Sequence, residues 1–214
     1  MILILDFDGV VFDYVRFKKD CAAVFKKLGA SARAYYETYD AVKKISGGYL
    51  PVAQIESLKK KYPAIHSTAL AEEIKKLTLQ SARYLYSDAR AFLMSCKKSE
   101  LPVMLVSAGS SFQKQKIAAS NTRQFFKKVV VVIGSAKSAP IQKIIRQFPK
   151  KQCVFVDDRA DVLDEIKRIL PDVFVVQMLR GGNKRERSVY ADARVRNFLG
   201  LEKIINAQKL SKKK

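Results

Sequence analysis

The 214-residue chain has no tryptophan, a single histidine (His66), and three cysteines (Cys21, Cys96 and Cys153) with no C-x-x-C spacing. So few soft ligands leave no basis for a zinc site, which gathers three or four of them. An odd set of isolated thiols also argues against a disulfide framework, so reduced structural cysteines in a cytoplasmic protein are expected. Long apolar runs are missing too. The first apolar stretch, Met1 to Leu5, has no basic leader and runs straight into Asp6. No run approaches the ~18 residues of a membrane span, so neither a signal peptide nor a membrane contact is expected.

Acidic residues are the other scarcity. Twenty Asp and Glu face 41 Lys and Arg, for a net charge of +21. From Leu101 to Gln152 there are ten Lys or Arg and no acid at all. The terminal Lys209, Lys212, Lys213 and Lys214 account for only a small part of the excess. Such a field draws in polyanions or phosphorylated small molecules, and nucleic acid is one expectation. Doublets such as Lys18-Lys19, Lys26-Lys27, Lys43-Lys44 and Lys75-Lys76 fit a solvated basic helix face equally well. No aromatic-interleaved basic motif of a nucleic-acid module is visible.

What the chain does have is core. Hydrophobic residues make up 48% of it, enough for a globular protein of one core domain with an insertion, or of two small domains. Everything else is arranged around the opening stretch. Ile2 to Leu5 is branched and apolar, as suits a strand buried on both faces. It ends in Asp6, with Asp8 two residues on and Gly9 giving room to turn. In extended chain such carboxylates share a face roughly 6.6 Å apart. They repel unless a cation intervenes or one stays protonated, and oxygen-only ligands suit Mg²⁺.

From Tyr14 to about Arg90 the pattern is helix upon helix. Gly29, Ser46-Gly47-Gly48 and Pro63 serve as stops, and Ser31 as an N-cap. The fourth of these helices starts near Ser67 and carries its apolar face as far as Phe92, with a break expected near Tyr86-Ser87-Asp88. Short apolar strands then follow at Val103–Val106, Val129–Ile133, Cys153–Val156 and Val173–Gln177, each separated from the next by a helical pattern. Gly181 to Lys184 reads as an exposed loop, and a closing helix runs from Leu201 to Gln208. The expected fold is α/β: a doubly wound parallel five-stranded sheet with an inserted α-helical cap domain. Residues 1–13 and 91–208 would form the core, 14–90 the helical insertion, and 209–214 a basic tail.

In such sheets ligands bind beyond the carboxyl ends of the strands. The first strand ends in Asp6 and Asp8, the second in Ser107, and the fourth in Asp157, Asp158 and Asp161; Lys137 precedes the helix leading to the fourth. Taken singly, Ser107 could be an N-cap, and Asp157 and Asp158 could favour the positive end of a helix. Together and in this order they read as a site.

Asp6-Phe-Asp8-Gly-Val, Ser107 after a hydrophobic strand, Lys137, and Val-Asp157-Asp158-Arg-Ala-Asp161 resemble the four motifs of the haloacid dehalogenase superfamily, over nearly the whole chain. Two departures stand out. The common Gly-Asp of the fourth motif is Val156-Asp157, and Lys137 is followed by Ser; Lys143 is the weaker candidate for the third-motif lysine. The resemblance implies Asp6 as nucleophile toward phosphorus, with Mg²⁺ held by Asp6, the Asp8 carbonyl and Asp157. Asp158 and Asp161 would form the shell behind it. Ser107 and Lys137 would hold the phosphoryl oxygens, and Asp8 would be the general acid and base. The leading expectation is a phosphomonoester hydrolase acting on a phosphorylated small molecule. The alternatives are a phosphatase for nucleotides or nucleic-acid ends, and a fold of this kind retired from catalysis that only binds.

Overall fold

A computed structural model describes residues 1–134, 136–180 and 186–210, with the side chains of Ser46, Lys209 and Leu210 left aside. The expected loop over Gly181 to Lys184, Ser135 and the last four residues of the basic tail lie outside the described residues. Six parallel strands form one sheet in the order β3-β2-β1-β4-β5-β6. They are β1 Ile2–Leu5, β2 Val103–Ala108, β3 Lys128–Val132, β4 Cys153–Asp157, β5 Phe174–Met178 and β6 Ala193–Val195. This is the doubly wound order, with β1 next to the point where the connections reverse direction.

The sixth strand corrects the expected five. Ala193-Arg194-Val195 is an edge strand of three residues in which only Val195 is buried, so it has no apolar run to betray it. Asp192 fixes its register instead: its carboxylate accepts from the Val175 amide at 2.7 Å and from Lys167 at 2.9 Å.

β1 explains the sheet's two-sided core. Leu3 and Leu5 face one apolar cluster, with Phe7, Phe12 and Phe17. Ile2 and Ile4 face the other, with Ile141, Phe155, Leu163 and Ile166. All four strand residues are fully buried. At about 1.5–3 kcal/mol for each such side chain, burying this short segment contributes on the order of 10 kcal/mol.

Between β1 and β2 lie five helices: α1 Tyr14–Lys27, α2 Ala32–Ser46, α3 Pro51–Lys61, α4 Ser67–Leu79 and α5 Ala89–Lys98. Asp13 caps α1 by accepting from the Arg16 amide, and Ser31 caps α2 in the same way. α1 to α4 pack on one another, while α5 turns away to pack on α9, Phe198–Leu210, through stacked Phe92 and Phe198 rings 4.4 Å apart. The long fourth helix of the sequence reading is thus two helices joined by a 3₁₀ turn, Ser81–Tyr84.

The chain leaves the sheet and returns to it side by side. The Asp13 amide donates to the Tyr84 carbonyl at 2.7 Å, and the Tyr86 amide to the Val11 carbonyl at 3.1 Å. Arg180, just past β5, binds both segments: it donates to Asp88 at 2.7 and 2.9 Å and to the Val10 carbonyl at 3.1 Å, with its guanidinium over the Tyr86 ring. At the far end of the insertion, Gly48 lies against the loop after β2. A Cβ there would stand 2.7 Å from the Ser110 amide nitrogen, so only glycine permits this approach. Among the described residues, three further α-helices follow β2: α6 Ser111–Ala119, α7 Ser138–Arg146 and α8 Ala160–Ile169.

Candidate active site

Strand register puts the acids together. Leu5 pairs with Val156, so the next residues, Asp6 and Asp157, stand abreast at the carboxyl ends of β1 and β4. Carboxylate oxygens of Asp6, Asp157 and Asp158 lie within 4.8 Å of one another, and all three residues are buried. Lys137 enters from the N-terminal end of α7, itself buried, and donates to Asp6 at 2.6 Å and to Asp157 at 2.7 Å. The other Asp157 oxygen accepts from the Arg159 amide at 2.9 Å. Lys143 is exposed on α7, so Lys137 is the lysine that reaches the carboxylates.

The electrostatics of this group are those of a site short of positive charge. Burial pushes the Asp6 carboxyl up to about 6; Lys137 opposes this, and the charges of Asp157 and Asp8 add to it. Burial alone would depress the Lys137 ammonium, but Asp157 and Asp6 outweigh it and hold the ammonium above the usual lysine range. One ammonium cannot balance three buried carboxylates. The set is all hard oxygen, closely spaced and underneutralised, which fits Mg²⁺.

The remaining expected residues fall around this centre. Ser107, at the end of β2, is 1% exposed, and its hydroxyl accepts from Gln113 Nε2 at 3.0 Å. The Asp8 carboxylate stands outside the Asp6, Asp157 and Asp158 cluster and is bound through both oxygens by Lys116 of α6, at 2.8 and 2.9 Å. Gly9, with φ of 80°, turns the chain directly after it. Asp161 stands at the rim, paired with Arg159, whose hydrogen bonds hold its carboxyl below the usual range. Asp6, Asp8, Ser107, Lys137, Asp158 and Asp161 all line one cleft of about 700 Å³; its opposite wall comes from Tyr35, Tyr39, Lys43, Lys44 and Tyr49 of the insertion. Asp157 lies fully buried behind it.

Lys116 and Gln113 did not emerge from the sequence. Their signal was there: α6 buries Phe112, Gln113, Lys116 and Ile117, one helical face with two polar residues on it.

A profile of the family described as hydrolase, haloacid dehalogenase-like hydrolase, matches residues 1–168. The chain belongs to the haloacid dehalogenase-like hydrolases. A haloacid dehalogenase-like hydrolase from Burkholderia xenovorans LB400 superposes with a TM-score of 0.75 at 21% identity, covering 94% of each chain. The magnesium-bound HAD-hydrolase YfnB of Bacillus subtilis gives 0.68 at 14% identity, over 96% of this chain and 98% of its own. A protein from Haemophilus somnus 129pt, described as a predicted phosphoglycolate phosphatase, gives 0.63 at 15% identity, over 95% and 97%. A search of curated protein sequences finds no match. At these identities the structural likeness carries the fold, and the family rests on the matched profile. Among the described residues, no helix is long and apolar enough to cross a membrane.

Proposed function

We propose that this haloacid dehalogenase-like hydrolase is a Mg²⁺-dependent phosphomonoesterase that works through an aspartyl-phosphate on Asp6. The observation that carries the reading is the buried Asp6, Asp157 and Asp158 set, bridged by Lys137 and opening into the cleft. Asp6 attacks phosphorus, and the ester oxygen departs with a proton from Asp8. Water then attacks the phosphorus of the aspartyl-phosphate and gives its proton to Asp8, releasing phosphate and restoring Asp6. Ser107 and Lys137 hold the phosphoryl oxygens throughout. Asp6, the Asp8 carbonyl and Asp157, with Asp158 beside them, would hold Mg²⁺, which would offset the negative charge of the carboxylate and phosphoryl oxygens.

An acid two residues after the nucleophile favours ester cleavage over carbon–halogen cleavage, whose halide leaves without a proton. We treat 14–90 as a cap that selects the substrate and 1–13 with 91–208 as the catalytic core. Burial pushes the Cys21 and Cys153 thiols up to about 12, as suits unreactive structural cysteines in a cytoplasmic enzyme. The test is a phosphate-release panel with and without Mg²⁺, spanning sugar phosphates, nucleotides and phosphorylated oligonucleotide ends; the last two follow from the net charge of +21. Mg²⁺-dependent release from at least one class is the expected result. Silence across the panel, with halide release from a haloacid instead, overturns the reading.

A further inference from the structure

Lys116 is a buried cation with one anionic partner in ion-pair range among the described residues, and that partner is Asp8. The lysine is 5% exposed. Its ammonium lies 5.0 Å from the centre of the Phe12 ring and 5.8, 5.9 and 6.0 Å from those of Phe17, Phe112 and Phe7. The ammonium is thus lined by four aromatic rings. Their faces offer only part of the stabilisation that water would give a buried cation. Burying an ammonium costs several kcal/mol unless a well-placed anion offsets it. Asp8 is that anion, gripped through both oxygens at 2.8 and 2.9 Å.

The cage is built from three parts of the chain. Phe7 and Phe12 come from the turn after β1, Phe112 from α6, and Phe17 from α1 of the helical insertion. The carboxylate's position is therefore tied to the packing of the insertion against the sheet. Asp8 also needs such a hold, because its side chain is 31% exposed and, among the described residues, Lys116 is the group that hydrogen-bonds its carboxylate oxygens.

We propose that Lys116 is the positioning residue for Asp8: it fixes the general acid's carboxylate at the cleft wall beside the nucleophile. The role rests on the phosphomonoesterase reading for its kinetic consequence, though not for its geometry. Lysine suits the task because a long, thin stem threads the rings and three donors reach both carboxylate oxygens.

The experiment replaces Lys116 by methionine, which fills the cage without charge, and by arginine as the conservative variant, with melting temperatures checking the fold. A misplacement of about 1 Å at a reacting group costs about 10²-fold. In single turnovers, Lys116→Met should therefore slow phosphoryl transfer from an alkyl phosphate to Asp6 by about that factor, and from p-nitrophenyl phosphate much less, since nitrophenolate departs without a proton, whereas hydrolysis of the aspartyl-phosphate, which also uses Asp8, should slow for either ester. Lys116→Arg should recover part of the loss. In an Asp8→Asn background, Lys116→Met should cost almost nothing further, because the group it places has lost its function. Equal loss of the single-turnover transfer rate on both esters, or full additivity with Asp8→Asn, overturns the proposal. Crystal structures of the wild type and Lys116→Met give a readout free of activity: an Asp8 carboxylate displaced from α6 supports the assignment, and one left in place overturns it. If the wild type hydrolyses neither ester, the phosphatase reading fails and the crystal structures alone decide the role of Lys116.

Discussion

The ammonium of Lys137 stands 2.6 Å from an oxygen of Asp6, although 131 positions separate the two residues in sequence. The same ammonium lies 2.7 Å from Asp157. A single lysine thus joins the ends of two adjacent strands, and it does so where burial would otherwise make paired carboxylates prohibitive. The arrangement leaves the acids close enough to share a cation and still underneutralised, which is the condition for recruiting one.

That shared charge makes the two neighbours on β4's end unequal. Asp157 is fully buried, binds Lys137 and accepts from the Arg159 amide, while Asp158 lines the cleft. Asp158→Ala should weaken Mg²⁺ by about 10–100-fold, the range of a supporting partner, and Asp157→Ala by more. Activity titrated against Mg²⁺, with calorimetric Mg²⁺ binding to each variant, measures this. A larger loss for Asp158→Ala would shift the ligand assignment by one residue.

The raised Asp6 carboxyl makes stability depend on pH. Its pKa rises from an ordinary 3.8 to about 6 on folding, so between these values the folded chain holds more protons than the unfolded one. Stability from this group is therefore full below about pH 4 and lost as pH rises through 6. At about 1.4 kcal/mol per unit, the shift sets a ceiling of roughly 3 kcal/mol. In metal-free buffer at pH 7, Asp6→Asn should melt higher than the wild type, with the gap closing as pH falls to 4. Saturating Mg²⁺ should reverse the gap. A variant that melts lower at pH 7 without metal, or a gap that ignores pH, would show that Asp6 carries no such penalty.

Much of the fold, and the placing of acids at its strand ends, was legible in the sequence itself. Ile2 to Leu5 announced a buried strand because all four side chains are apolar and none faces water, and its abrupt end in Asp6 marked the carboxyl edge of a sheet. Asp157 and Ser107 followed by the same logic. Other features depend on contacts that a linear pattern does not encode. Lys116 meets Asp8 across 108 positions, and nothing local distinguishes it from the solvated lysines around it except its place on a buried helix face. β6 owes its existence to Asp192 and one buried valine, and the turn at Ser81–Tyr84 divides an apolar face that reads as continuous. The acid-free stretch 101–152 splits as well: Lys116 and Lys137 are buried in ion pairs, whereas Lys143, Arg146 and Lys150 are exposed.

The central claim is that phosphorus becomes bonded to Asp6, and the most direct measurement is mass spectrometry of acid-quenched enzyme mixed with its ester and Mg²⁺. The account predicts one phosphoryl group on the peptide holding Asp6, accumulating from p-nitrophenyl phosphate, whose leaving group needs no proton, when Asp8→Asn blocks its hydrolysis. Asp6→Asn should show neither the adduct nor phosphate release while remaining folded. Phosphate released at the wild-type rate by folded Asp6→Asn, with no adduct at any time in the wild type, would contradict it.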